Sequence, residues 1–227
     1  MSDKTRRPNG WYPIIVVYRR PWDAIEYIIQ AFGGGSVPCE FTHCEIYLPD
    51  RGETFTIFAG GSMIRNSVLP KLYASRPGRF AWHLIPLNFE EYTRLVHWST
   101  QQVAHHCPYN YRDLAWQIAP ETIRNSYVKD LPVSVAHTPR CVFCSQAIVL
   151  ALREASNGVG ARRILHDFIF AANSRLVTPS DLSRILIQYL GVGVNNHRVP
   201  TTTDEINNYL HDAVYNSSSA FSVHNLN

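Results

Sequence analysis

The chain has 227 residues, 45% hydrophobic and 17% charged, a globular composition that can bury a core of its own rather than a disordered or fibrous one. The formal net charge is only +3, and its Lys and Arg residues are scattered, so no nucleic-acid-binding face is expected. No apolar run approaches the ~20 residues of a membrane helix, so no transmembrane segment is expected either.

The opening MSDKTRRPNG is polar, lacks the apolar stretch of a secretory leader, and reads as a flexible arm over residues 1–10. WYPIIVVY (11–18) reads as a buried strand. PWDAIEYIIQAF (21–32) has Trp22, Ile25, Ile28, Ile29 and Phe32 at helical spacing, with Pro21 suited to the first turn and glycines at the end. FTHCEIYL (41–48) alternates as a strand. Phe41, His43, Glu45 and Tyr47 fall on one face, with Thr42, Cys44, Ile46 and Leu48 on the other. The turn PDRGE and the strand TFTIFA (54–59) complete a hairpin, and FAWHLIPL (80–87) is a further strand.

Asn88, with Glu91 three residues on, caps a helix that starts at Phe89 and runs to the histidines at 105–106. YRDLAWQIA (111–119) is a short helix stopped by Pro120, and residues 120–140 form an irregular connection. CSQAIVLALREA (144–155) is apolar on nearly every face, which predicts a buried helix. ARRILHDFIFAA (161–172) is another helix. TPSDLSRILIQYL (178–190) begins with Thr178 as cap and Pro179 at the first position, and DEINNYLHDAVY (204–215) is a last amphipathic helix. Strands come early and helices surround them, so the fold class is α+β.

Five cysteines is an odd, irregularly spaced set, which points to reduced thiols in a cytosol-like compartment. Cys144 opens the buried helix. A thiol there meets unpaired backbone N–H groups and the positive end of the helix dipole, which favour thiolate. Facing an imidazole such as His43, it forms the working pair of a thiol hydrolase or acyltransferase. The imidazole takes the proton, the sulfur attacks a carbonyl, and the helix start receives the oxyanion. The roughly 100 residues between the two are no obstacle, because such pairs are neighbours in the fold.

The succession FTHCEIYL, hairpin strand, PYNY, CVFCSQAIVLAL and VTPSDL resembles the circularly permuted branch of the NlpC-type papain-like superfamily, that of the YaeF/YiiX-like and lecithin–retinol acyltransferase-like proteins. The resemblance covers roughly residues 11–190 and leaves residues 191–227 as an extension. It implies a permuted papain-like domain: a small antiparallel sheet packed on helices, with the nucleophile at the N-terminus of a buried helix. It implies His43 as general base, Cys144 as nucleophile and Tyr109 of Pro108–Tyr109 as an auxiliary group. Its substrates would be amides, peptides or acyl esters, with no cofactor.

Two departures stand out. The family strand has a small residue where this chain has Glu45. The orienting residue, a Glu or His on the next strand, is replaced by a choice between Thr56 and Phe58. A phenyl ring cannot hydrogen-bond an imidazole, and a hydroxyl does so weakly. Glu45 lies two residues along the same strand as His43, a poor geometry for holding its ring. The third member is therefore Thr56 or Glu45.

The missing orienter also supports an alternative of another class. The domain has lost its chemistry and serves as a binding or structural protein, virion-associated if the source is one of the large DNA viruses in which the branch occurs. A further alternative is zinc. Cys141 and Cys144 form half a site that Cys39, Cys44 or His43 would complete. His105, His106 and Cys107 read as the exposed end of a helix rather than a metal cluster. Trp22, Phe58, Trp82 and Trp116 are candidates for an apolar substrate pocket.

Overall fold

The computed structural model describes residues 10–24, 27, 40–58, 63–65, 69–76, 78–118, 123, 126–127, 142–157, 169, 172–190 and 193–212. The fold is α+β. Five strands, β1 (Tyr12–Arg19), β2 (His43–Leu48), β3 (Glu53–Ile57), β4 (Met63–Arg65) and β5 (Phe80–Leu87), make one antiparallel sheet in the order β4-β3-β2-β1-β5. The helices are α1 (Leu69–Ser75), α2 (Phe89–Ala104), α3 (Tyr111–Ile118), α4 (Cys144–Ser156) and α5 (Pro179–Leu190), with α6 over 203–212.

Both faces of the sheet are covered, which is why β1 is apolar without interruption. Ile14, Val16 and Tyr18 face the core built with α2, α4 and α5. Ile15 and Val17 face a second core with Tyr73 of α1, Trp82, Val199, Ile206 and Leu210. Residues 193–212, expected as an extension, thus close the sheet's second face. Asn195 exchanges two backbone hydrogen bonds with Trp82, at 2.9 and 3.0 Å, and the indole N–H of Trp82 donates to the His197 carbonyl at 3.1 Å.

The local signals behave as their chemistry dictates. Asn88 accepts from the Glu91 N–H at 2.9 Å while the Glu91 carboxylate accepts from the Asn88 N–H at 2.8 Å, a complete capping box. Thr178 and Asp181 make the same reciprocal pair ahead of α5. In the β2–β3 turn Gly52 adopts φ 62°, a conformation that favours glycine.

Three differences from the sequence reading concern the site. β2 begins at His43, and Phe41 packs with Cys44 in the helix-side core instead of sharing a face with His43. The Phe41 N–H donates to Ser180 Oγ at 3.0 Å, which pins the entrance of β2 to α5. The short elements β4 and α1 were not anticipated. Most of the helix expected over 161–172, most of 21–32 and residues 213–215 lie outside the described residues.

Buried His83 on β5 sets the acid response of this core. Its Nε2 lies 3.3 Å from Ser183 Oγ, its Nδ1 has no hydrogen-bond partner, and burial lowers its pKa from 6.5 to about 4. Between those values the unfolded chain binds a proton that the folded chain refuses. The stability contribution is therefore complete above about pH 6.5 and is lost as pH falls toward 4, by roughly 3 kcal/mol in all. Urea midpoints measured at neutral pH and near pH 4 should show this loss, and His83→Gln should flatten it.

Candidate active site

The site is assembled where β2 begins and α4 begins. Phe143, the residue before α4, is extended at φ −111° and ψ 174° and its ring cannot cap the helix. Among the described residues the only capping contact is the reverse one, Gln146 Oε1 accepting from the Phe143 N–H at 3.3 Å. Among those residues no side chain caps the first-turn N–H groups of α4, and Cys144 sits among them. Ser145 anchors the turn by donating to the Val177 carbonyl at 2.6 Å.

The five catalytic candidates, Cys144, His43, Tyr109, Thr56 and Glu45, gather here. Cys144 and His43 are both buried, and each shifts the pKa of the other. Cys144 is held well below the ordinary thiol pKa, first by a hydrogen bond from the Cys44 thiol, then, against the opposing effect of burial, by the charge and hydrogen bonding of His43. Burial is the largest influence on His43 and pushes its pKa down. The charge and hydrogen bonding of Cys144, and then Glu45, outweigh it and leave the ring raised. Burial, followed by Cys144, raises Cys44 well above its ordinary value, so Cys44 stays a thiol. These directions favour charge on the Cys144–His43 pair and keep the Cys44 thiol neutral.

The back of the imidazole is occupied. His43 Nε2 lies 3.1 Å from Thr56 Oγ1 and 3.7 Å from Glu45 Oε1. The Phe58 ring stacks on the imidazole at 5.2 Å and 11°. Glu45 is thus better placed than its position two residues along the strand suggested. Its side chain is long enough to bring one oxygen back to the ring, at ion-pair but not hydrogen-bond distance. Phe58, unable to bond the ring, fixes its plane by packing. With Nε2 engaged, Nδ1 is the nitrogen left to serve the thiol.

Tyr109 is tethered beside the nucleophile. Val142 and Tyr109 form an isolated β-bridge, in which the Val142 N–H donates to the Pro108 carbonyl at 3.2 Å and the Asn110 N–H to the Val142 carbonyl at 2.9 Å. Burial raises the Tyr109 pKa, and the charge of Cys144 adds to the shift, so its hydroxyl keeps its proton.

Two groups near the site escaped sequence reasoning. Cys44 was read as a thiol behind the strand, yet that face is the one α4 covers, so it meets Cys144. Tyr73 lies on the unanticipated α1. Its hydroxyl is near enough to Glu45 to lower that carboxyl, whose pKa burial otherwise raises, yet stands outside hydrogen-bond geometry.

Of the four aromatic candidates for an apolar substrate pocket, Trp22 and Phe58 line a pocket that Arg19, Arg76, Arg79, Asp23 and Glu45 make strongly polar. Trp82 is instead a core residue with no exposed surface, and Trp116 is half-buried on α3. Cys141, half of the zinc alternative, and Cys39, one of the residues that would complete it, lie outside the described residues. Among the described residues no three His, Cys, Asp or Glu side chains are grouped to hold a metal ion. His105 and His106 are exposed. No helix among the described residues is long and apolar enough to cross a membrane. Comparison with protein-family models, with curated proteins and with solved structures found no match for this chain.

Proposed function

We propose that the protein is a thiol hydrolase or acyltransferase that cleaves an amide, peptide or acyl-ester bond on a permuted papain-like domain. The observation that carries this reading is the meeting of Cys144, at an uncapped helix start, with a His43 ring backed by Thr56 and Glu45. The Cys144 thiolate attacks the carbonyl carbon, forming a C–S bond and a tetrahedral oxyanion. The first-turn N–H groups of α4 and the Tyr109 hydroxyl are the donors available to that oxyanion. The His43 imidazolium gives its proton to the leaving amine or alkoxide as the tetrahedral species collapses to a thioester. Neutral His43 then takes a proton from water or an amine as that acceptor attacks the thioester, which returns the thiolate. Thr56 and Glu45 hold the ring and stabilise its charged form, the task of the orienting residue in a triad.

The test is alkylation of the native protein from about pH 5 to pH 9, with each cysteine read by mass spectrometry. Cys144 should react first and already near pH 6, and Cys144→Ala should lose turnover of a p-nitrophenyl acyl ester. Slow reaction at alkaline pH alone, or full turnover by Cys144→Ala, would instead favour a domain that keeps the fold for binding partners.

A further inference from the structure

Cys44 and Cys144 are thiols of one core, 1% and 3% exposed, on β2 and on the helix packed over it. They are in contact. Both the thiol and the backbone N–H of Cys44 hydrogen-bond to the Cys144 sulfur. Neither hydrolysis nor acyl transfer needs a second thiol there, and the face of β2 that carries it is otherwise apolar, completed by Ile46 and Leu48. Cys107 lies in the same core, but its thiol is directed at the Pro108 carbonyl, 3.9 Å away.

The two touching thiols differ in kind. The pair with His43 favours charge on Cys144, whereas burial, and then Cys144 itself, keep the proton on Cys44. The thiolate is the form that reacts with an oxidant, so Cys144 is oxidised first. A sulfenic acid is neutral. Once Cys144 has become one, the charge that held the proton on Cys44 is gone, and Cys44 is the thiol in contact with the oxidised sulfur.

We propose that Cys44 and Cys144 are a reversible redox pair, in which a hydroperoxide closes a disulfide that shuts off the nucleophile and protects it from over-oxidation. The Cys144 thiolate attacks the terminal oxygen of the hydroperoxide. An S–O bond forms, the O–O bond breaks, and the His43 imidazolium gives its proton to the leaving alkoxide, or to hydroxide when the oxidant is hydrogen peroxide. Cys144 is then a sulfenic acid, oxidised by two electrons, and the peroxide is reduced to an alcohol or water. The Cys44 sulfur attacks the Cys144 sulfur, an S–S bond replaces the S–O bond, and hydroxide leaves with the Cys44 proton as water. A dithiol reopens the bridge by exchange, returns both thiols and is itself left as a disulfide. While the bridge is closed no thiolate stands at the start of α4, so the acyl chemistry stops. The first step rests on the Cys–His reading above, and formation of the bridge is read separately from it.

The full chain, reduced and then freed of reductant, is exposed at neutral pH to a small molar excess of hydrogen peroxide, alkylated under denaturing conditions, digested and read by mass spectrometry. The native chain should yield a Cys44–Cys144 linked peptide. Turnover of the p-nitrophenyl ester should fall at least about tenfold, and dithiothreitol should restore it. Cys44→Ser has no sulfur to close the bridge. Its Cys144 should pass to sulfinic acid, and dithiothreitol should recover less than about a tenth of that variant's own starting turnover. Cys107→Ser should form the bridge as the native chain does. A native chain whose Cys144 stays a thiol, bridges to Cys141 or Cys39, or reaches sulfinic acid with no linked peptide refutes the pair. So does a Cys44→Ser chain that recovers with dithiothreitol as fully as the native one. The linked peptide is read on the native chain, so the pair is decided even where Cys44→Ser does not fold. A reduced Cys144 that labels only at alkaline pH refutes the Cys–His reading instead, and the linked peptide, formed or absent, still decides the pair.

Discussion

Alanine at His43 should slow alkylation of Cys144 near pH 6 by on the order of a hundredfold, equivalent to about 2.7 kcal/mol. Two of the influences that lower the Cys144 pKa come from His43, and its removal leaves the Cys44 thiol working against burial. The pH at which Cys144 begins to react should therefore rise toward the ordinary thiol range. The same substitution removes the group proposed to pass a proton to a leaving amine, so acyl turnover should fall further than alkylation does. Thr56→Val keeps shape and removes the hydroxyl at 3.1 Å, and should cost less, because Phe58 still holds the ring plane. Glu45→Gln should lie between the two. A His43→Ala protein whose Cys144 labels at the native rate and pH would show that the thiol owes nothing to the imidazole, and the proposed chemistry would fall with it.

Trp82→Ala should be the most destabilising single change outside the site, by about 3–5 kcal/mol. The side chain has no exposed surface, and its ring packs edge-on against Tyr209 at 4.8 Å. Its indole N–H holds the His197 carbonyl, and its backbone holds Asn195. Truncation therefore opens a cavity beneath residues 193–212 and removes the donor that holds the His197 carbonyl. Trp82→Phe separates the two effects. It retains most of the packing and loses the donor, and should cost about 1 kcal/mol for the hydrogen bond besides a smaller packing loss. Urea unfolding followed by fluorescence and by far-UV dichroism checks both. A Trp82→Ala protein within 1 kcal/mol of the native chain would mean that residues 193–212 are not held by this residue.

What was legible in the sequence follows from the range of the forces involved. β1, β5, α2, α4 and α5 are long enough for their period to show, and Asn88 and Thr178 mark helix starts by contacts three residues long. Cys144 was legible because a helix start is a local event. β4 and α1 were not, since three and seven residues are too few to establish a period. The back of His43 was only half legible. Strand alternation placed Glu45 on its face and the family resemblance pointed to Thr56, but the reach of a glutamate along a strand and the stacking of Phe58 depend on register and rotamer. Cys44 illustrates a different gap. Alternation placed it on the opposite face from His43, but only the packing of α4 shows what it meets there.

The closure of the second core by residues 193–212 bears on how the chain is made. The indole N–H of Trp82 finds its acceptor 115 residues downstream, and β1 pairs along its whole length with β5. A nascent chain that has already extruded β1, β2 and β5 still presents Ile15, Val17 and Trp82 on an open sheet face. Tyr73 of α1 covers only part of that face, and the contacts that close the rest, this distant in sequence, form slowly. Until Val199, Ile206 and Leu210 have left the ribosome, that face is a sticky surface for chaperones or for other incomplete copies. Synthesis that stalls before residue 193 should therefore yield aggregate rather than a smaller folded domain.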